Sequence, residues 1–121
     1  MTQSPVKSKV NTVFIPVNDL EQSAQWYQNI LGIKGETHNE HLFIADMEGE
    51  AGVILDSMPL WRDDQGNLPV LEAPVIQFGT DDIEASYAFM KENEVELVTE
   101  IQHGHFFVIK DLNGNKLMIC A

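Results

Sequence analysis

Positive charge, cysteine and long apolar runs are all scarce in this sequence. Lys and Arg total 7 against 19 Asp and Glu, a formal net charge of −12 at pH 7. Binding to nucleic-acid phosphates needs a basic face, so no nucleic-acid partner is expected. An acidic field suits cationic ligands and favours solubility. Cys120 is the one cysteine. A single thiol excludes an intramolecular disulfide and fits a cytoplasmic location. Lying at the end of an apolar strand, it reads as packing rather than as a reactive thiol. The longest apolar runs, such as Val13 to Val17 with Pro16 inside, fall far short of the roughly 20 residues that span a bilayer, so no membrane partner is expected. The opening MTQSPVKSKV carries two lysines with no apolar stretch behind them. It is therefore not read as a secretory signal, and residues 1–8 read as a flexible arm. Phosphate-cradling glycine loops, helix-borne His-x-x-x-His and paired Cys-x-x-Cys motifs are also missing.

What remains is the composition of one globular domain. The chain has 121 residues, 44% of them apolar, enough to bury a core. Its clearest feature is an internal repeat. Residues 13–31, VFIPVNDLEQSAQWYQNIL, align with residues 76–94, IQFGTDDIEASYAFMKENE. Asp19 falls on Asp82, Leu20 on Ile83, Glu21 on Glu84, Ser23 on Ser86 and Trp26 on Phe89. Each copy opens with an alternating strand, Val13, Ile15, Val17 and then Ile76, Phe78, Thr80, whose period of two buries one face only.

Each strand leads into a helix. Asn18 with Glu21, and Asp81 with Glu84, have the spacing of a cap whose side chains satisfy free N–H groups at a helix start. Leu20, Ala24, Tyr27 and Leu31 form a core-facing stripe on the first helix, and Ile83, Tyr87 and Met90 form one on the second. Gly32 is placed to stop the first helix, and the second ends near Asn93. DMEGE (Asp46–Glu50) and DLNGN (Asp111–Asn115) are matching turns between apolar strands. Asn113-Gly114 reads as a two-residue hairpin turn. Three short antiparallel strands are expected in each half: near 35–38, 41–46 and 52–57, and near 96–101, 105–110 and 116–120. The fold class is α+β, with a module of about 9–57 and another of about 72–121. Linker 58–71 lies between them, rich in Pro and Gly and carrying Leu60, Trp61 and Arg62. Its length suits either a plain connection or a lid.

The order Asp19-Leu20, Trp26-Tyr27, Leu31-Gly32 and the closing FFVIKDLNGNKLMI resemble the vicinal oxygen chelate superfamily. That superfamily includes glyoxalase I, bleomycin-resistance proteins, extradiol dioxygenases and fosfomycin-resistance enzymes. The closing turn departs from the family's Asp-Pro-Asp-Gly-Asn, with Leu112 in place of proline. The resemblance covers residues 9–121. It implies a single glyoxalase/bleomycin-resistance-like domain, with two βαβββ modules curling a half-open mixed sheet around a cavity. It also implies a homodimer.

Metal-dependent members of the family hold the ion with His, Gln or Glu. The resemblance carries those positions onto Thr12, Val75 and Met118, with Leu55 or a neighbour as the fourth. Valine and leucine offer no lone pair, threonine is a poor ligand, and methionine is a soft one. Without the ion, a glyoxalase or dioxygenase mechanism lacks its Lewis acid. No metal is therefore expected there. Strand alternation assigns Thr12, Phe14 and Pro16 to the cavity, with Leu55 or its neighbour, Val75, Gln77, Gly79, Lys116, Met118 and Cys120. Phe14, Trp61, Phe107 and Met118 are the side chains expected to stack on a planar ligand.

Two functions follow. The first is a metal-free small-molecule-binding protein, similar to bleomycin-resistance proteins, that holds an apolar or cationic ligand. The alternative is a glyoxalase-like lyase or dioxygenase with a displaced divalent metal such as Zn, Mn, Ni or Fe. His103 and His105 would be its ligands, two apart and so on one side of a strand. His38 and His41 with Glu40 form a second histidine group, read as solvent-exposed.

Overall fold

A computed structural model describes residues 4–121. Residues 1–3 of the expected N-terminal arm lie outside that range. Residues 4–11 are exposed and carry neither helix nor strand. The first module runs β1 (Thr12–Pro16), α1 (Leu20–Leu31), β2 (Lys34–Asn39), β3 (Leu42–Asp46) and β4 (Gly52–Asp56). The second runs β5 (Gln77–Gly79), α2 (Ile83–Glu92), β6 (Glu96–Leu97), β7 (Phe106–Lys110) and β8 (Lys116–Cys120). Between them, a 3₁₀ turn at Pro59–Trp61 opens the linker.

Each module is a four-stranded mixed sheet, ordered β1-β4-β3-β2 in one and β5-β8-β7-β6 in the other. In both, the first strand pairs in parallel with the last, and the remaining pairs are antiparallel. The fold is thus α+β with two open sheets, as the repeat predicts. A parallel pair needs a long crossover, and here the helix and two further strands supply it.

The helices form where the stripes predict, with caps one residue further on. Asp19 accepts from the Gln22 N–H at 3.0 Å, and Asp82 accepts from the Ala85 N–H at 3.0 Å. Both Asp residues are in extended backbone, as a cap requires. Gly32 ends α1 in the left-handed conformation with φ 68°. Leu20, Tyr27, Ile83 and Met90 are buried. They share one apolar cluster with Ile15, Val17, Phe43, Val53, Leu55, Phe107, Ile109, Leu117 and Ile119. One core therefore serves both modules.

Three expectations change. The segment from Glu96 pairs as a strand only to Leu97; beyond it the N–H groups of Val98 and Thr99 both reach the Val108 carbonyl, a bulge that interrupts the ladder. The closing turn is longer than a two-residue hairpin. Gly114, at φ 88°, is its one left-handed residue, and Asn113 is not left-handed. Asp111 explains this. Its Oδ1 accepts from the N–H groups of Asn113 (2.8 Å) and Asn115 (3.0 Å), while the Gly114 N–H reaches the Asp111 carbonyl at 3.2 Å. That is an Asx turn closed by a left-handed glycine. The third change concerns His103 and His105, which lie in the exposed turn before β7 rather than on a strand. His103 has φ 53°, so the alternation that would put both on one side does not apply.

Candidate functional site

Paired residues of neighbouring strands share a face of the sheet, so register decides what lines each open side. In the first module Thr12 pairs with Gly52, Phe14 with Ile54, and Ile44 with Ile54. Phe14 is 53% exposed and Ile44 44%. Thr12, Phe14, Ile44 and Ile54 therefore form an apolar row facing away from α1. Glu36, paired with Ile44, carries the row to the β2 edge.

In the second module Gln77 pairs with Met118, which pairs with Val108. The Gln77 Nε2 donates to the Met118 Sδ at 3.3 Å, holding the two side chains together. Val75, 69% exposed, precedes this row. Lys116 and Cys120 flank Met118 on the same face. Lys110, opposite Lys116, pairs with Glu96 at 3.2 Å.

The structure thus puts Thr12, Phe14, Val75, Gln77 and Met118 on open surfaces. It does not put Leu55 or Phe107 there. Leu55 is 1% exposed and lies beside Ile15 and Phe43 under the helices; Ile54 takes the open side. Phe107 is 0% exposed and meets Tyr87 of α2 edge-on, with ring centroids 5.1 Å apart. Both corrections have one cause. VIL in β4 and FFVI in β7 are apolar on both faces, so period two gives no phase. Trp61 is exposed in the linker's 3₁₀ turn and belongs to neither paired row. Ile44 and Ile54 were hidden for the same reason, and only the pairing register identifies them; Val108, in register with Met118, is buried.

The metal positions implied by the family read Thr12, Ile54, Val75 and Met118. Among them and their neighbour Gln77, the donors are a hydroxyl, an amide and a thioether. This set does not fit Zn, Mn, Ni or Fe, which call for imidazole and carboxylate or thiolate. Among the described residues no group of three or more His, Cys, Asp and Glu side chains is placed to hold an ion.

Behind the open faces, a polar hub joins the modules. The Tyr27 hydroxyl donates to the Asp111 Oδ2 at 2.5 Å. Asn115 Nδ2 donates to the Pro16 carbonyl (2.8 Å) and to Asp111 (3.0 Å), and its Oδ1 accepts from the Leu71 N–H (2.8 Å). Asn113 accepts from the Asn18 N–H at 2.9 Å and donates to the Ser23 Oγ at 3.2 Å. Asp111 and Asn115 are buried. Burial pushes the Tyr27 hydroxyl well above its ordinary pKa, and the Asp111 charge and the hydrogen bond to it add to the rise. The hub binds module to module and fixes how the two sheets sit.

Two βαβββ modules share one core, and each has an open face turned away from its helix. The chain belongs to the Glyoxalase/Bleomycin resistance protein/Dioxygenase superfamily, whose family model matches residues 9–119. No curated protein matches the chain significantly in sequence. Solved structures match its fold. A member of the same superfamily from Sphaerobacter thermophilus DSM 20745 is similar with a TM-score of 0.74 and 22% identity, over 94% of this chain and 97% of that one. TnmS3, an antibiotic-binding protein from Streptomyces sp. CB03234, gives 0.72 and 19%, over 98% of each chain. The trypanothione-dependent glyoxalase I of Leishmania major gives 0.71 and 18%, over 94% of this chain and 86% of that one. At these identities the likeness is one of fold. No helix among the described residues is long and apolar enough to cross a membrane.

Proposed function

We propose that this protein is a metal-free, cytoplasmic small-molecule-binding protein. It holds a hydrophobic or cationic ligand against the open sheet faces of a homodimer. The observation that carries the reading is the chemistry of the two open rows. Phe14, Ile44 and Ile54 in one module, and Val75 and Met118 in the other, offer contact area, with the Gln77 amide and the Thr12 hydroxyl as polar handles. Small-molecule sites have this mix of apolar wall and few polar groups. Methionine adapts to a ligand's shape and aromatic rings stack on it.

Exposure supports the dimer. Phe14 and Ile44 are large apolar side chains left in water by a single chain, and contiguous patches of this kind mark interaction surfaces. A second copy laid over them encloses a cavity that one copy leaves open. The net charge of −12 favours a cation over an anion. That TnmS3 is an antibiotic-binding protein agrees with a binding role for this fold. The enzymatic alternative needs a metal on His103 and His105, and the exposed turn they occupy brings up no third ligand among the described residues.

A thermal-shift screen of the purified protein against cationic antibiotics and planar aromatic compounds tests the reading. A hit raises the melting temperature with rising ligand concentration, because only the folded state binds. Phe14→Ala, at an exposed position, should weaken that hit roughly tenfold and leave unliganded stability within about 1 kcal/mol. Hits that ignore Phe14→Ala and Met118→Asp alike would rule out the open faces as the binding surface. Sedimentation should give a mass of two chains.

A further inference from the structure

The open row of the first module ends on a carboxylate. Asp56 closes β4, two residues after Ile54, and so lies on the same face of the sheet. Its partners on the neighbouring strands are Pro16 of β1 and Leu42 of β3, which continue the rows of Phe14 and Ile44. Asp56 is nevertheless only 6% exposed.

An aspartate is rarely buried to this degree unless its charge is paired. The two buried aspartates differ in that respect. Asp111 receives the Tyr27 hydroxyl, two backbone N–H groups and the Asn115 amide across its two oxygens. Asp56 receives one hydrogen bond, from the Met58 N–H to its Oδ1 at 2.8 Å. Among the described residues no Lys, Arg or His pairs with it, and its Oδ2 accepts from no donor. No side-chain oxygen among those residues is both unpaired and sealed from water, so Oδ2 is reached from the surface. Glu36 and Asp46 lie on the same face toward the β2 edge, but both are exposed and keep their hydration. Asp56 is therefore the charge on this face with most to gain from a partner. A metal ion would need further ligands, and no group of three or more His, Cys, Asp and Glu is placed to supply them among the described residues.

We infer that Asp56 is the counter-ion for an organic ammonium group, so that the first module's open face takes arylalkylamines. This rests on the open-face reading and names its ligand class. The aromatic ring lies on Phe14 and Ile54, and the ammonium donates to the Asp56 Oδ2. Phe14 pairs with Ile54, so Asp56 stands one strand across and two residues along from Phe14. Sheet spacing makes that roughly 8 Å, which a short alkyl chain between ring and nitrogen spans.

Titration of the whole protein with 3-phenylpropylammonium and with the neutral 3-phenylpropanol, followed by amide chemical shifts, tests the assignment. The wild type should bind the amine roughly tenfold more tightly, the effect of a charge-assisted hydrogen bond to a partly wet carboxylate. Asp56→Asn keeps an oxygen acceptor for the Met58 N–H and should erase that preference. Without ligand it should melt no lower than wild type, since it removes a buried charge that has no partner. In the wild type the Met58 amide should shift with the amine and stay still with the alcohol, a readout that needs no variant. Phe14→Ala should weaken both compounds alike. Equal affinities for amine and alcohol, both weakened by Phe14→Ala, would overturn the role of Asp56 and leave the open-face reading standing. An amine preference that survives Asp56→Asn would do the same. Binding of neither compound, or binding that ignores Phe14→Ala, would sink the two together.

Discussion

Asp46–Glu50 and Asp111–Asn115 occupy the same place in their modules, and they have opposite fates. Asp111 and Asn115 are buried and hydrogen-bonded to three other parts of the chain, namely α1, β1 and the linker. Asp46, Glu48, Gly49 and Glu50 are exposed. The residues explain the split. Asn113 and Asn115 carry donors and acceptors together and are neutral, so each can be fully paired when buried. Glu48 and Glu50 accept only, and burying their charge would be costly without partners. One of two matching turns thus serves as an inter-module clamp while its twin stays at the surface.

The largest effect should come from breaking the clamp at its centre. Asp111→Ala leaves the Tyr27 hydroxyl and the N–H groups of Asn113 and Asn115 without their acceptor. A loss of roughly 4 kcal/mol is expected in urea denaturation. Asp46→Ala, the matching change in the exposed turn, should stay within about 0.5 kcal/mol. Equal costs would show that the burial difference carries no energetic weight.

A smaller asymmetry lies in the glycines. A Cβ on Gly35 would stand 2.2 Å from the Ile44 carbonyl oxygen and 2.9 Å from both the Ala45 Cα and the Phe43 ring, so β2 must move away from β3. Gly35→Ala should cost roughly 2–3 kcal/mol. A Cβ on Gly79 would meet no atom within 4 Å, and Gly79→Ala should fall within about 1 kcal/mol of neutral. Melting temperatures of the two variants sharpen the contrast between the modules' edges.

The smallest effect is also pH-dependent. Tyr27→Phe removes one of several donors to Asp111, and about 1 kcal/mol is expected near neutral pH. The Tyr27 pKa is raised in the folded state from its ordinary value of 10.0. In the unfolded chain the phenol ionises above about pH 10, while in the folded chain it stays protonated. Its contribution is therefore full below about pH 10 and falls as pH rises further, by roughly 1.4 kcal/mol per unit. The stability difference between wild type and Tyr27→Phe should shrink above about pH 10, as read by denaturation across roughly pH 8–11.5. A difference that stays flat would mean that Tyr27 ionises alike in both states.

The repeat made the modules, the helices and the two matched turns legible, because period and cap chemistry are local. The open placement of Thr12, Phe14, Gln77 and Met118 was legible because counting from the helix caps and the closing turn phases β1, β5 and β8. Leu55 and Phe107 were not. Their strands are apolar on both faces, and hydrogen-bond register between strands sets their direction. The roles of Tyr27, Asp111 and Asn115 were also hidden, since Tyr27 and Asp111 are 84 residues apart in sequence and meet only in the folded chain.

Calorimetric titration of the metal-stripped protein with Zn, Mn, Ni and Fe salts, one at a time, tests most directly whether these open faces work without an ion. A metal-free site predicts no saturable heat at a stoichiometry of one ion per chain, and ligand binding unchanged by chelator. A one-to-one isotherm that Met118→Ala or Thr12→Ala abolishes would contradict it.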